Sequence, residues 1–134
     1  MTRNVLLSTS LPMTLASMIL YSISAANKCR YCSAIFKVTC VTVGIDEGAL
    51  AALDSDLEDL TPMRAQVIIK FARKCALDRT NLSEADFDEV RAQGIGDGEI
   101  AEIVSLAALG NYLNTVADSL RADVDEVIAS ALAG

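Results

Sequence analysis

Cys29-Arg30-Tyr31-Cys32 is the stretch of this chain whose residue types and spacing suit covalent chemistry. A three-residue separation in the first turn of a helix brings two Cα atoms near the range a disulfide accepts. The reactive form of each sulfur is the thiolate. Two features favour it here: a helix N-terminus, and the cations Lys28, Arg30 and Lys37. Lys28 lies four residues before Cys32, one helical turn away. The motif admits a redox-active dithiol and three quieter readings. One is half of an all-cysteine zinc site completed by Cys40 and Cys75, whose spacing is poor. Another is a structural disulfide in an exported chain. The last is a pair of reduced thiols packed as small apolar residues. Cys40 falls on nearly the same helical face as Cys32 and reads as core packing, with a third redox partner as the alternative. Cys75 reads as core.

Other chemistries are removed by composition. The 134 residues include no histidine, which excludes His-ligated zinc, Ser/His/Asp triads, Cys–His dyads and imidazole proton shuttles. No metal and no cofactor is expected. Eleven basic and eighteen acidic residues leave a net charge of −7, which argues against nucleic acid as a partner. The charge is uneven: residues 1–45 hold Arg3, Lys28, Arg30 and Lys37 and no acid, so the cysteine pair lies in the basic part.

The elements that must position the pair read as helices. Hydrophobic residues make up 52% of the chain and aromatics 4%, so the apolar mass is Ala, Leu, Ile and Val. Mean hydropathy is +0.38. That composition predicts an all-α bundle in one domain, 1–134, and a surplus of apolar surface that a small domain buries in a homo-oligomer. Pro12 opens a first helix to about Ala26. Asn27 is a plausible cap for a second that begins at the cysteines and ends before Gly44. Asp46 caps a short third helix through Leu53. Thr61-Pro62 starts a fourth, carrying Ala65, Ile68, Ile69, Ala72 and Cys75 inward. Ser83 and Asp86 form a capping box for a fifth, closed by Gly94. The longest runs from about Asp97 to Leu120, with Ile100, Ile103, Val104, Ala107, Gly110, Leu113, Val116, Ala117 and Leu120 as its stripe. Asp123 caps a last helix, Val124 to about Leu132. Among these segments only Val38–Val43 is rich enough in β-branched residues to compete as a strand.

No residue from Asn4 to Asn27 is charged, and Arg3, Leu11–Ile23 and Ser24-Ala25-Ala26 imitate a secretory signal with its cleavage site. Ser8, Thr9, Ser10, Pro12, Thr14, Ser17, Ser22 and Ser24 are too many polar side chains for a membrane span. The expectation is a buried helix in a cytoplasmic protein, with an exported small helical protein as the alternative.

Several motifs, in order, resemble the alkylhydroperoxidase D-like / carboxymuconolactone decarboxylase family over about residues 11–120. Its centre is Ile23-Ser24-Ala25-Ala26-Asn27-Lys28-Cys29-Arg30-Tyr31-Cys32. Gly44-Ile45-Asp46, Leu60-Thr61-Pro62-Met63-Arg64, Gly94-Ile95-Gly96-Asp97-Gly98-Glu99-Ile100 and Asn111-Tyr112-Leu113-Asn114 resemble later family passages. The resemblance implies an all-α AhpD-like fold assembled as homo-trimers or homo-hexamers, and a thiol-dependent antioxidant peroxidase. By it, Cys32 attacks a hydroperoxide substrate and becomes a sulfenic acid, Cys29 condenses with it to a disulfide, and a dithiol reductant protein restores the pair. Supporting roles fall to Lys28, Tyr31 and Ser17. The family's peroxidase branch also uses a glutamate twelve residues before the first cysteine and a histidine four after the second. Ser17 and Phe36 stand there. Loss of that proton relay implies slow turnover, or a catalytically degenerate oligomeric member whose cysteines are structural or a redox switch. Ser17 is otherwise a small residue packed in a helix contact. The decarboxylase branch is the weaker analogy, because the chain has no obvious cationic pocket for an acidic lactone.

Overall fold

The structure, a computed structural model, describes residues 11–123. Within them the chain forms six α-helices, one short 3-10 turn and no strand. The helix expected from Val124 lies outside the described residues. The helices are α1 (Met13–Ala26), α2 (Arg30–Thr42), α3 (Glu47–Leu53), α4 (Met63–Leu77), α5 (Glu84–Ala92) and α6 (Asp97–Ser119), with the 3-10 turn at Arg79–Asn81.

From Met13 to Ala26 the uncharged stretch is the central helix of the bundle, and residues 4–10 of it lie outside the described residues. α1 packs against α2, α3, α4 and α6 and buries Leu15, Ala16, Ile19, Tyr21 and Ile23 together with Ser17, Ser22 and Ser24. A helix enclosed on several faces has no place for an unpaired charge, and its polar groups need partners. Ser22 Oγ accepts from Arg73 Nε at 3.0 Å and Nη2 at 2.7 Å, and Ser24 Oγ accepts from Asn114 Nδ2 at 2.9 Å. Ile68, Ile69, Leu53, Val90 and Ile103 complete the fully buried core around Ile19 and Ile23.

Among the described residues α6 is the one helix long and apolar enough to cross a membrane by length and composition. Here it packs on α1, α2 and α4. A Cβ at Gly110 would stand 3.2 Å from Ile23 Cγ2, so glycine lets α6 close onto α1. Ile100, Ile103, Ala107, Gly110 and Ala117 point inward as expected, but Val104, Val116 and Leu120 do not. Leu106 and Asn114 are buried instead. The inward line alternates steps of three and four residues and stays on one face. A row of fours drifts about 40° per step and leaves Val104, Tyr112, Val116 and Leu120 exposed.

The helix punctuation is partly as read. Asp46 Oδ1 accepts from the Ala49 N–H at 2.8 Å, and Asp86 Oδ2 accepts from the Ser83 N–H at 2.8 Å. Gly44 and Gly94 take φ of +94° and +82° beyond α2 and α5. At α4 the cap position belongs to Pro62 rather than Thr61. Val38–Val43 is helical down to Thr42, with the Thr39 and Thr42 hydroxyls donating to Ile35 O and Val38 O.

Candidate active site around the cysteine pair

The link between α1 and α2 is short, and its geometry sets where the first sulfur lies. Asn27 ends α1 rather than capping α2, and Lys28 adopts a left-handed φ of +58°. The Lys28 N–H donates to Ala25 O and the Cys29 N–H donates to Ser24 O, each at 3.0 Å, which completes a Schellman termination. Cys29 closes α1 and is also the N-cap of α2. Two helices therefore hold it at once. α6 ends the same way: Arg121 has φ of +56°, its N–H reaches Asp118 O at 3.2 Å, and the Ala122 N–H reaches Ala117 O at 2.8 Å.

A polar network fastens this junction to α6. Asn27 Nδ2 donates to Asn111 Oδ1 at 3.0 Å and to Asn114 Oδ1 at 2.9 Å. Asn111 Nδ2 donates to Ala76 O at 2.8 Å, carrying the network to α4. Asn114 is 3% exposed. Satisfied polar groups at such a depth specify one arrangement, since a slip would strand them. These are the asparagines of the passage singled out in the sequence, and their work is to seat the turn before the cysteines.

Cys29, Cys32 and Ala117 form a small apolar cluster flanked by Tyr31, Phe36 and Leu113. Cys29 is fully enclosed, and Cys32 is 5% exposed. Cys32 Sγ donates to Leu113 O at 3.5 Å and contributes to the wall of a cavity of about 360 Å³. Ile35, Phe36, Leu113, Val116, Leu120 and the Tyr31 ring make its other walls, with Ala117 and Ala122. A second, polar cleft of about 540 Å³ opens beside Lys28, Arg30, Tyr31, Asp118, Arg121 and Asp123. Tyr31 belongs to both.

The cations do not govern Cys29. Burial pushes its thiol from an ordinary 9.0 up to about 12, hydrogen bonding to Cys32 and to the Asp118 side chain adds to the rise, and the Cys32 backbone opposes it. The thiolate expected there is outweighed by desolvation, which disfavours the charged form. Cys40 and Cys75 are also raised by burial, each to about 11. Cys40 packs in the main core, and Cys75 is half-buried against it. No group of three or more metal-binding side chains gathers among the described residues.

Among the other residues singled out, Lys28 and Tyr31 line the clefts next to the pair. Ser17 is buried in α1, 2% exposed, and lines neither of the two cavities. Phe36, one turn beyond Cys32, forms part of the apolar wall. Asp118 was not legible: it joins Lys28, Arg30 and Tyr31 in the polar cleft from a position more than eighty residues on, and no local spacing signals that.

No protein-family model matches the chain, and no curated protein matches it. Solved structures do. An uncharacterized peroxidase-related protein from Silicibacter sp. TM1040 superposes with a TM-score of 0.85 at 22% identity, over 95% of this chain and 68% of that one. The fold is AhpD-like. A second AhpD-like match, the AhpD core of a peroxidase-related protein from Ralstonia eutropha JMP134, gives 0.81 at 22% identity, over 90% of this chain and 64% of that one. A protein of unknown function from Agrobacterium tumefaciens, with a provisional AhpD antioxidant-defence name, gives 0.82 at 18% identity, over 92% and 85%. The chain thus spans about two thirds of the length of the first two AhpD-like structures.

Proposed function

We propose that this protein is a thiol-dependent peroxidase of the AhpD type, with Cys32 as the attacking sulfur and Cys29 as the resolving one. The observation that carries this reading is the asymmetry of the pair: Cys32 borders a cavity, and Cys29 is enclosed directly behind it. In the first step the Cys32 thiolate attacks the distal peroxide oxygen. The O–O bond breaks, the alcohol leaves with a proton, and Cys32 becomes a sulfenic acid. Cys29 then attacks that sulfur, the S–O bond breaks and water departs, leaving a disulfide. A protein dithiol, itself oxidised to a disulfide, returns both cysteines to thiols by exchange in a reducing cytoplasm. The apolar lining around Cys32 suits a hydroperoxide with a hydrocarbon group. The exposed row Val104, Tyr112, Val116 and Leu120 supports a homo-trimer or homo-hexamer that covers it.

Peroxide consumption with a dithiol donor tests the reading. Cys32→Ser abolishes turnover and Cys29→Ser stops after one equivalent; normal turnover by Cys32→Ser would overturn it. A second reading, a non-catalytic member with a structural pair or redox switch, is favoured by Ser17 and Phe36 at the relay positions. It predicts that the oligomer persists with negligible peroxide consumption, and that the pair still oxidises reversibly.

A further inference from the structure

Among the described residues, Leu57, Lys28 and Arg121 adopt a left-handed backbone without being glycine. Leu57 is fully buried in the core, and its packing accounts for it. Lys28 and Arg121 are exposed cations, at positions where glycine would strain the backbone less. They close different helices, α1 and α6, more than ninety positions apart in the chain. Both nevertheless line one space, the polar cleft of about 540 Å³ beside the cysteine pair. Arg30, from the first turn of α2, lines it with them. Asp118 and Asp123 border the same cleft, and among the described residues no ion pair joins either of them to the three cations. Backbone strain kept twice, to bring two cations to one place next to a reactive centre, points to a ligand.

We infer that the cleft binds the anionic head of the substrate, a hydroperoxide whose hydrocarbon body ends in a carboxylate. This inference rests on the peroxidase reading above and narrows its substrate class. Tyr31, Ala117 and Ala122 are common to the cleft and to the apolar cavity of about 360 Å³ that Cys32 borders. The two spaces therefore adjoin at these residues, one apolar and holding the attacking sulfur, the other polar and cationic. A ligand with its peroxide at Cys32 lays its hydrocarbon in the first and passes its carboxylate beyond Tyr31 to Lys28, Arg30 and Arg121. Reduction follows the cycle already given: the O–O bond breaks, the hydroperoxide leaves as an alcohol, and the carboxylate is unchanged. The net charge of −7 does not forbid an anion here. At physiological salt a charge is largely screened beyond about 8 Å, so the residues lining the cleft set its field.

Two hydroperoxides that differ in the charge of one end, ω-hydroperoxydecanoate and its methyl ester, test the assignment. At low ionic strength kcat/KM for the carboxylate exceeds that for the ester about tenfold, the sum of a few exposed ion pairs. In the double variant Arg30→Gln/Arg121→Gln the preference falls to about unity, through KM. Arg30→Lys/Arg121→Lys keeps it, about 0.5 M salt erases it, and unchanged melting temperatures show that the fold is intact. Decanoate, which carries no peroxide, reads the cleft without turnover. It shifts the backbone amide signals of Arg30 and Tyr31 in NMR titrations, and binds about tenfold more weakly to the glutamine variant. Equal kcat/KM for the two hydroperoxides, or a preference that survives in the glutamine variant, would overturn the anion site and leave the peroxidase reading standing. Charge-dependent binding of decanoate with neither hydroperoxide consumed would overturn the peroxidase reading and leave the anion site standing. Neither binding nor consumption would overturn both.

Discussion

Iodoacetamide added to the reduced protein at about pH 8 should modify Cys32 long before Cys29, and the lag can be worked from the site. Cys29 stands near 12 instead of 9.0. At that pH its thiolate fraction is about a thousandfold below that of an ordinary cysteine. A more basic thiolate is also a better nucleophile, and a Brønsted slope of about 0.4–0.5 returns roughly 20-fold. The net rate is about 50-fold below that of an unhindered thiol, before the enclosure of Cys29 slows the reagent further. Trypsin cuts after Arg30 and places the two cysteines on separate peptides, so quenched time points read by mass spectrometry give each rate. The Cys29 rate should climb about tenfold per pH unit between about pH 8 and 11. Reaction at the speed of a free cysteine, or a plateau below about pH 10, would refute the reasoning that burial dominates over the neighbouring cations.

Three further outcomes follow from the same geometry. Phe36→His places an imidazole on the cavity wall one turn beyond Cys32, and should raise steady-state peroxide consumption about 10²-fold, the low end of the 10²–10⁴ typical of general acid–base help; unchanged turnover in a folded variant would show that the missing relay is not what limits the rate. Lys28→Gly relieves a left-handed lysine, a gain of about 1–2 kcal/mol less the roughly 0.5–1 kcal/mol entropic cost of glycine, so the melting temperature should rise by a few degrees; a fall would contradict the termination described. Asp86 is held below its ordinary 3.8 by Lys74 at 2.8 Å and by the Ser83 amide, so its stabilisation is complete above about pH 4 and vanishes as pH falls through the lowered value. The unfolding free energy of Asp86→Asn from urea titration should trail that of the parent by about 1 kcal/mol at neutral pH and converge with it in acid, whereas a gap that stays constant as pH falls would refute the linkage.

Local signals in the chain reached most of the fold and part of the site. Asp46, Ser83 with Asp86, Gly44 and Gly94 mark helix ends because short acceptors and glycine meet needs of the backbone itself, which adjacent residues settle. The ends of α1 and α6 fall within a residue of the expected Ala26 and Leu120, but the left-handed residue that closes each was not foreseen. Each puts a long basic residue, Lys28 or Arg121, where glycine is usual, and the backbone hydrogen bonds of the termination close the left-handed turn. Asn27 looked like a helix start because asparagine serves either end; the partners that decide the matter, Asn111 and Asn114, lie more than eighty positions away. The cysteine pair was legible from its spacing. Its electrostatics were not, since Lys28 and Arg30 are visible as charges, whereas the enclosure by Tyr31, Phe36, Leu113 and Ala117 exists only once α6 has packed. Val116 and Leu120 read as core and instead edge the cavity, which explains the apolar surplus on that side.

A single-turnover oxidation tests the central claim most directly. One equivalent of cumene hydroperoxide is added to the fully reduced protein and the product is read by intact mass and peptide mapping. The account predicts loss of two hydrogens as a Cys29–Cys32 disulfide, and in Cys29→Ser one added oxygen on Cys32 that dimedone traps. Unmodified protein, or oxidation placed on Cys40 or Cys75 instead, would contradict it.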